Sequence, residues 1–399
     1  MANEKKVPFL VIGGGIGGLA TALGVAETGR EVHLIEKAKE FGEVGAGLQL
    51  GPNALAVLDR LGVLESVYAN AVIPKRLVLM DAMNGQELTA LDLGEEFRNR
   101  YKYPYIVLHR SDLHQSLLDA CRANPLITLY TNKEVNVVEN EGDQARVTCA
   151  DGSVFIANAV VGADGVRSKT RQLVSNDQPV SSHYVAYRGT IPMAEVKAHL
   201  DFDDVIMWIG PNLHLVQYPV RRGELFNQVA VFKSARSLAG EEEWGTPEEL
   251  DEAFSKCCET VKHAASYMNR DFNWPMYDRD PIANWTSGRV TLLGDAGHAM
   301  LQYLAQGGVQ ALEDVACLTN MLHTHGLDIE IAFQEYQEER IPRSASVQTN
   351  ARQWGEIIHA DDPISILLRN TLFAQHDAND FRYVDWLYGR RYTMIQNQS

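Results

Sequence analysis

VPFLVIGGGIGGLATALGVAETGREVHLIE, residues 7–36, decides the first half of the fold. A short β-branched run over residues 7–12 stops at glycine and reads as a buried parallel strand. Residues 16–28 read as a helix closed by Gly29, and residues 31–36 as the next strand. Together they make one β-α-β unit. Gly13, Gly15 and Gly18 place a G-x-G-x-x-G spacing between strand and helix. The first glycine permits the tight turn, the second lets a pyrophosphate approach the backbone, and the third lets helix and strand pack closely. The helix start at Ile16 adds free N–H groups and a positive dipole. Glu36 ends the second strand about 20 residues on, where a carboxylate accepts from ribose hydroxyls and repels a 2′-phosphate. The stretch predicts a dinucleotide site.

Two later segments repeat the strand-glycine-acid pattern. AVVGADGVRSKTR, residues 159–171, runs from an apolar strand into Gly-Ala-Asp-Gly. Asp164 there either orients backbone amides or closes an ion pair with an arginine. RVTLLGDAGHAMLQYLAQGG, residues 289–308, ends its apolar run in Gly294-Asp295. Asp295, at the mouth of a helix, suits a hydroxyl-rich ligand. Gly307 and Gly308 suit backbone approach to a flat ring, with a helix over residues 309–321 aiming its N-terminus at it. His298 reads as a structural loop residue.

Residues 53–61 read as a helix stopped by Gly62. Residues 76–93 alternate as strands turning at Asn84-Gly85. Residues 111–122 carry apolar side chains at helical spacing, with Ser111 as N-cap and Asp112 in the first turn. Residues 135–149 read as two strands around Glu141-Gly142-Asp143. The texture changes over residues 181–277, with strand-like alternation at 183–191, 205–208, 214–220 and 227–232, then an acidic helical insert at 241–261. The nucleotide pattern returns at Val290. The first domain is therefore expected to be discontinuous (1–75, 100–178 and 281–349), with a substrate domain inserted (76–99 and 179–280). A C-terminal helical region, 350–399, carries Trp354, Tyr383, Trp386 and Tyr388 and serves either surface packing or a homodimer contact.

A formal net charge of −16 argues against a nucleic-acid partner and against anionic membranes. No apolar stretch reaches membrane-spanning length. The two lysines before residues 7–12 mimic a signal peptide, but the glycines interrupt its apolar core. Five scattered cysteines (121, 149, 257, 258 and 317) form no C-x-x-C pair, so no metal or redox site is expected. Reduced thiols in the cytoplasm are the expectation.

The three glycine-acid segments, in this order, resemble the class A flavoprotein aromatic hydroxylases of the para-hydroxybenzoate hydroxylase type. The likeness spans most of the chain. It implies an α/β fold: a Rossmann-like FAD-binding domain, an inserted substrate domain built on a mostly antiparallel sheet, and C-terminal helices. It implies FAD as cofactor and NADH or NADPH as a transient electron donor on a surface groove, which fits the lack of a second G-x-G-x-x-G. By the same resemblance Asp164 serves flavin and nicotinamide cofactor, Asp295 binds the flavin ribitol, and Arg110 reaches the flavin. Residues 43–47, ending at Gly47, match the loop along the isoalloxazine. One departure stands out: the proline common after the G-D histidine is Ala299 here.

The resemblance implies a small aromatic acid and O2 as partners, and hydroxylation through a flavin C4a-hydroperoxide. That attack is electrophilic, so the phenol must be deprotonated or strongly hydrogen-bonded, and histidine suits that task near neutral pH. His214 lies on an expected strand whose alternation puts His214, Val216 and Tyr218 on one face. The resemblance places His214 as the phenol-activating base, Tyr218 beside the substrate and Gln302 as a hydrogen-bonding partner for it. Residues 42–51, 187–189, 210–224, 274–279 and 301–305 narrow the likeness to the branch that converts 3-hydroxybenzoate to 2,5-dihydroxybenzoate. Salicylate hydroxylases share the framework but usually show a Pro-His type pair where this chain has Gln302-Tyr303. Other readings are a hydroxylase of another ring acid and a flavin-binding protein without hydroxylation. Arg188 either closes an ion pair or lines the pocket.

Overall fold

Strands rich in Val, Ile and Leu, buried on both faces, build a central parallel sheet. The computed structural model describes residues 4–42, 46–196 and 203–389. The sheet runs in the order Thr286–Ser287, Val290–Leu292, Val154–Gly162, Glu4–Ile12, Val32–Ile35, Ile127–Tyr130, parallel from Val290–Leu292 onward, with Thr286–Ser287 antiparallel at the edge. The hairpin Val135–Glu141 and Gln144–Cys149 extends the far end of Val154–Gly162. The helix Ile16–Glu27 packs on the sheet beside Gly307–His325, Pro52–Arg60 and Arg110–Ala123, and their apolar faces form the largest core. The class is the one expected, α/β with C-terminal helices.

A second sheet of seven strands runs Trp274–Asp278, Val180–Pro192, Leu225–Lys233, Leu213–Val220, Val205–Gly210, Arg76–Asp81, Glu87–Asp92. All its pairings are antiparallel except Val205–Gly210 with Arg76–Asp81. One face carries Val185, Tyr187, Leu213, Leu215 and Phe232 and packs on the short helices Pro247–Phe254 and Glu259–Ala265. The other face looks toward the first sheet. A two-stranded ribbon, Gly47–Leu50 with Ile106–His109, bridges the two.

Two local expectations change. Ser111 does not cap its helix: Arg110–Ala123 starts one residue earlier with His109 as N-cap, and the Ser111 hydroxyl meets His109 Nδ1 at 2.6 Å. The acidic insert is not one helix. Thr246 and Glu249 form a capping box that starts Pro247–Phe254, and a second helix starts only at Glu259. Further on, Ile329–Ile358 runs 30 residues without a break at 350.

Candidate active site

The parallel strands end in step: Ile12 is level with Ile35 and Gly162, and Gly162 with Leu292. All three glycine-acid turns and Glu36 therefore meet at one sheet edge, where open α/β sheets bind ligands. Gly13 has φ of 109°, and a β-carbon on it would lie 2.4 Å from the Ala163 carbonyl oxygen. A β-carbon on Gly18 would lie 1.8 Å from the Gly13 carbonyl oxygen, so this position requires the close packing expected of the third glycine. Gly15 is the N-cap and Ile16 the first residue of the helix.

Glu36 holds the glycine loop. Its carboxylate accepts from the N–H of Gly14 at 2.7 Å and of Ala38 at 2.8 Å, folding the glycine loop around itself. Asp164 takes the first of its two alternatives. It accepts from Ser168 Oγ at 2.6 Å, Lys169 N at 2.8 Å and Thr170 N at 3.1 Å, and pairs with no arginine among the described residues. Asp295 opens a one-turn helix, Asp295–His298, is exposed, and bonds to no group among the described residues. Gly307 and Gly308 begin Gly307–His325, and a β-carbon on either would enter open space.

Behind this edge lies an ionic network that sequence reasoning missed. Asp314 accepts from His298 Nε2 at 2.5 Å, from Gly294 N at 2.9 Å and from Arg340 Nε at 2.7 Å. Glu313 accepts from Arg340, Arg343 and Asn53. Burial alone would raise both carboxyls; the arginines, with His298 beside Asp314, hold both below the usual range. His298 is thus the structural residue expected. Glu313 and Arg340 sit on different helices, so no spacing in the chain announces the pair.

One cavity of about 1330 Å³ joins this edge to the second sheet. That exceeds the roughly 300–1,000 Å³ of an ordinary small-molecule pocket. Its nucleotide end holds Gly13, Gly15, Ile16, Glu36, Asp164, Asp295, Gly307 and Gly308. Its far end holds His214, Val216, Tyr218, Arg188, Gln302 and Tyr303, with Gly47 and Arg110 between. Of the loop at residues 43–47, residues 43–45 lie outside the described residues; Gly47 pairs with His109 and donates to Asn227 Oδ1 at 2.7 Å.

Strand alternation delivers His214, Val216 and Tyr218 to the cavity as expected. His214 Nδ1 lies 2.7 Å from Nε2 of His359, and both rings meet Tyr303 edge-on. Burial pushes the His214 imidazole down to about 3. Burial, then His214 and Lys233, push His359 down to about 2. Both are therefore neutral at physiological pH. Burial raises the Tyr218 phenol, so it remains protonated. Arg188 lines the cavity. It lies level with Val229 and, across the next pairing, Val216, and it stacks 5.2 Å from the Trp274 ring. Its Nε is buried without a partner, and among the described residues no carboxylate pairs with it. His359, a lone histidine just past the end of a long helix, carries no signal in the sequence of its contact with His214.

The FAD binding domain model matches residues 6–351. The chain is 39% identical over 387 residues to 3-hydroxybenzoate 6-hydroxylase 1 of Aquipseudomonas alcaligenes, covering 96% of this chain and 97% of that protein. The chain is a flavoprotein aromatic hydroxylase. This hydroxylase is also 36% identical to 3-hydroxybenzoate 6-hydroxylase of Klebsiella oxytoca, over 96% of this chain and 97% of that one. Its fold matches HpxO of Klebsiella pneumoniae complexed with FAD and uric acid, with a TM-score of 0.84 at 23% identity over 96% of each chain. A salicylate hydroxylase substrate complex matches with a TM-score of 0.75 at 24% identity, covering 98% of this chain and 100% of that one.

The cavity fits the flavin cofactor of the family. The pyrophosphate turn is open at Gly15, the Asp295 carboxylate is uncommitted, and the Gly307-Gly308 backbone is uncovered. Ala299 in the hydroxylase has φ of −50°, inside the range proline fixes. Its carbonyl accepts from Arg279 N and from the Gln348 side chain, both at 3.1 Å. The loop is thus held without the proline. No helix among the described residues is long and apolar enough to cross a membrane.

Proposed function

We propose that the protein hydroxylates 3-hydroxybenzoate at C6, giving 2,5-dihydroxybenzoate, with NADH or NADPH and O2 as cosubstrates. The single observation that carries this reading is the far wall of the cavity. His214 and Gln302 offer hydrogen-bonding groups for a phenol, while Arg188, its Nε unpartnered, offers a guanidinium for a carboxylate. The relatives named 3-hydroxybenzoate 6-hydroxylase support it.

Bound FAD supplies the redox chemistry, taking two electrons from NAD(P)H and passing one oxygen atom of O2 to the ring while the other leaves as water. The protein's own groups prepare the ring. His214 Nδ1 is occupied by His359, so Nε2 is the nitrogen open to the cavity. It takes the phenolic proton, and the resulting phenolate pushes electron density onto the carbon para to it, which is C6. Gln302 donates its amide to the same oxygen. Arg188 pairs the carboxylate in a charge-assisted contact and fixes which ring edge is presented. Tyr218, protonated, packs beside the ring. The apolar wall of Met207, Val216 and Val229 excludes water from the reacting edge. Asp295, Glu36 and the Gly13–Gly18 turn hold the dinucleotide.

The test is NADH oxidation with 2-, 3- and 4-hydroxybenzoate, product identification and carbon dioxide trapping. Coupled turnover of the 3-isomer to 2,5-dihydroxybenzoate without carbon dioxide is expected. Clean decarboxylating turnover of salicylate, with no stimulation by the 3-isomer, would overturn the reading.

A further inference from the structure

His214 is 1% exposed and His359 4%, and their rings stack with centroids 5.0 Å apart and Nδ1 to Nε2 at 2.7 Å. A neutral histidine pair at that distance has one donor and one acceptor. If His214 Nδ1–H donates to His359 Nε2, then His214 Nε2 carries its lone pair toward the cavity and His359 carries its proton on Nδ1. Among the described residues no hydrogen bond reaches that outer nitrogen, and His359 keeps 4% of its surface exposed, two residues from the exposed Asp361. His359 itself does not line the cavity. It stands between His214 and the surface turn that follows Ile329–Ile358.

We infer that His214 and His359 form a two-histidine proton relay that carries the phenolic proton of the bound ring acid out to solvent, with His359 as its outer station. This rests on the reading of His214 as the base. The step balances. The phenol O–H bond breaks and an Nε2–H bond forms on His214. The Nδ1 proton of His214 passes to Nε2 of His359, and the Nδ1 proton of His359 passes to water. Both rings end neutral, and the phenolate keeps the negative charge. Running in reverse, the same chain returns a proton to the product phenolate. Because neither ring favours holding a charge, the proton passes through instead of resting on the pair.

The surroundings suit a conduit more than a charge store. Tyr184 stacks on His359 at 4.6 Å between centroids, and Tyr303 meets both imidazoles by its edge. The charged groups acting on His359 are Lys233 on the neighbouring sheet strand and Arg369 on Pro363–Ala374, both opposing a resident positive charge. Asp361 accepts from Asn212 Nδ2 at 2.8 Å and is not among the charges acting on His359. The backbone fixes the station: Asn212 N donates to the His359 carbonyl at 3.0 Å, and His359 N donates to Gly355.

The test mixes the FAD-loaded enzyme, without NADH, with 3-hydroxybenzoate in weak buffer. Stopped-flow absorbance reads phenolate formation, and an indicator dye reads proton release. Wild type should show both phases at one rate. His359→Gln keeps an oxygen to accept from His214 Nδ1–H but cannot pass a proton on. It should bind the ring acid with unchanged Kd while both phases slow at least tenfold. His359→Ala should be equally slow and regain rate with added imidazole. Wild-type rates in His359→Gln would overturn the relay and leave His359 a positioning residue. Slow phases in His359→Ala that imidazole does not restore would also overturn it. If His214→Asn still forms phenolate at the wild-type rate, the reading of His214 as base fails, whatever His359 does.

Discussion

Gly47 runs so close to Tyr218 that a β-carbon on it would lie 2.5 Å from the ring and 2.6 Å from the phenol oxygen. Asn227 closes the other side, its side-chain carbon 2.6 Å from the same point. Tyr218 and Asn227 are both buried and Gly47 is half-buried between them, so little can give way. Gly47→Ala should cost about 1–3 kcal/mol by overpacking. A fall of several degrees in Tm of the holoenzyme and about a tenfold rise in KM for the ring acid are expected from the displaced Tyr218. Unchanged values of both would show that the ribbon and the sheet can part freely.

Arg188 has a sharper signature. Losing a buried guanidinium that pairs a carboxylate costs about 2–5 kcal/mol. Arg188→Gln should therefore raise KM for 3-hydroxybenzoate by at least about thirtyfold. Binding of a neutral phenol such as 3-methylphenol, followed by flavin absorbance, should change little. Equal losses for acid and neutral phenol would remove the carboxylate role.

The cofactor end offers a contrasting pair. Asp295 bonds to nothing in the protein among the described residues, so Asp295→Asn should leave apoprotein stability alone. A lost charge-assisted hydrogen bond of about 1.5–3 kcal/mol should weaken FAD binding roughly 10- to 100-fold, read by titrating deflavinated protein. Asp164 accepts from Ser168, Lys169 and Thr170. Asp164→Ala should instead destabilise the apoprotein itself, by about 1–3 kcal/mol in urea.

The paired histidines set a pH dependence. In the unfolded chain each titrates near 6.5, but folded His214 is held down to about 3 and His359 to about 2. Between these values the unfolded state binds more protons than the folded one, so stability rises with pH. The contribution is complete above about pH 6.5 and is lost as the pH falls toward about 3. Below about pH 6.5, unfolding free energies from urea titrations should fall by on the order of 1 kcal/mol per pH unit for each histidine. His359→Gln should flatten that slope, and an unaltered slope would contradict the assignment.

The buried network behind Gly294 should dominate stability. Removing one partner of a buried ion pair costs about 3–5 kcal/mol, because the other charges stay behind. Arg340→Met takes one cationic partner from each of Glu313 and Asp314, both fully buried, leaving Arg343 and His298 to hold them. It should lower Tm far more than Arg270→Met, whose pairing with Asp251 is largely exposed and worth under about 1 kcal/mol.

Much of this architecture is readable before any coordinates, and the physical reasons are local. A β-branched run broken by Gly13, and alternation through His214, Val216 and Tyr218, report themselves within a dozen residues. Ser111 misled because a serine before an apolar run looks like a cap, yet the helix starts at Arg110 with His109 as N-cap, and the Ser111 hydroxyl turns to His109 Nδ1 instead. Arg188 stayed undecided because an arginine on a strand reads the same whether an acid faces it or not. His359 and the Glu313–Arg340 pair were illegible for a different reason. Their meaning lies in partners 145 and 27 residues away, and nothing in the intervening chain encodes the distance.

The unbroken helix Ile329–Ile358 limits how such enzymes can be recombined. Near its middle, Arg340 and Arg343 neutralise the acids behind the G-D turn; near its end, Gly355 leaves room for Tyr303, whose ring would be 2.5 Å from a β-carbon there. One turn later the chain delivers His359. Grafting a foreign substrate sheet onto this scaffold would leave a native helix end facing a foreign pocket. Cutting at residue 350 to bring the tail along would splice the rod in its interior. A workable transplant would have to carry Ile329–Ile358 and the turn after it as one cassette, together with the acids it neutralises. The natural unit of exchange in this molecule is therefore neither of its two sheets, but a sheet plus the strut that crosses to the other.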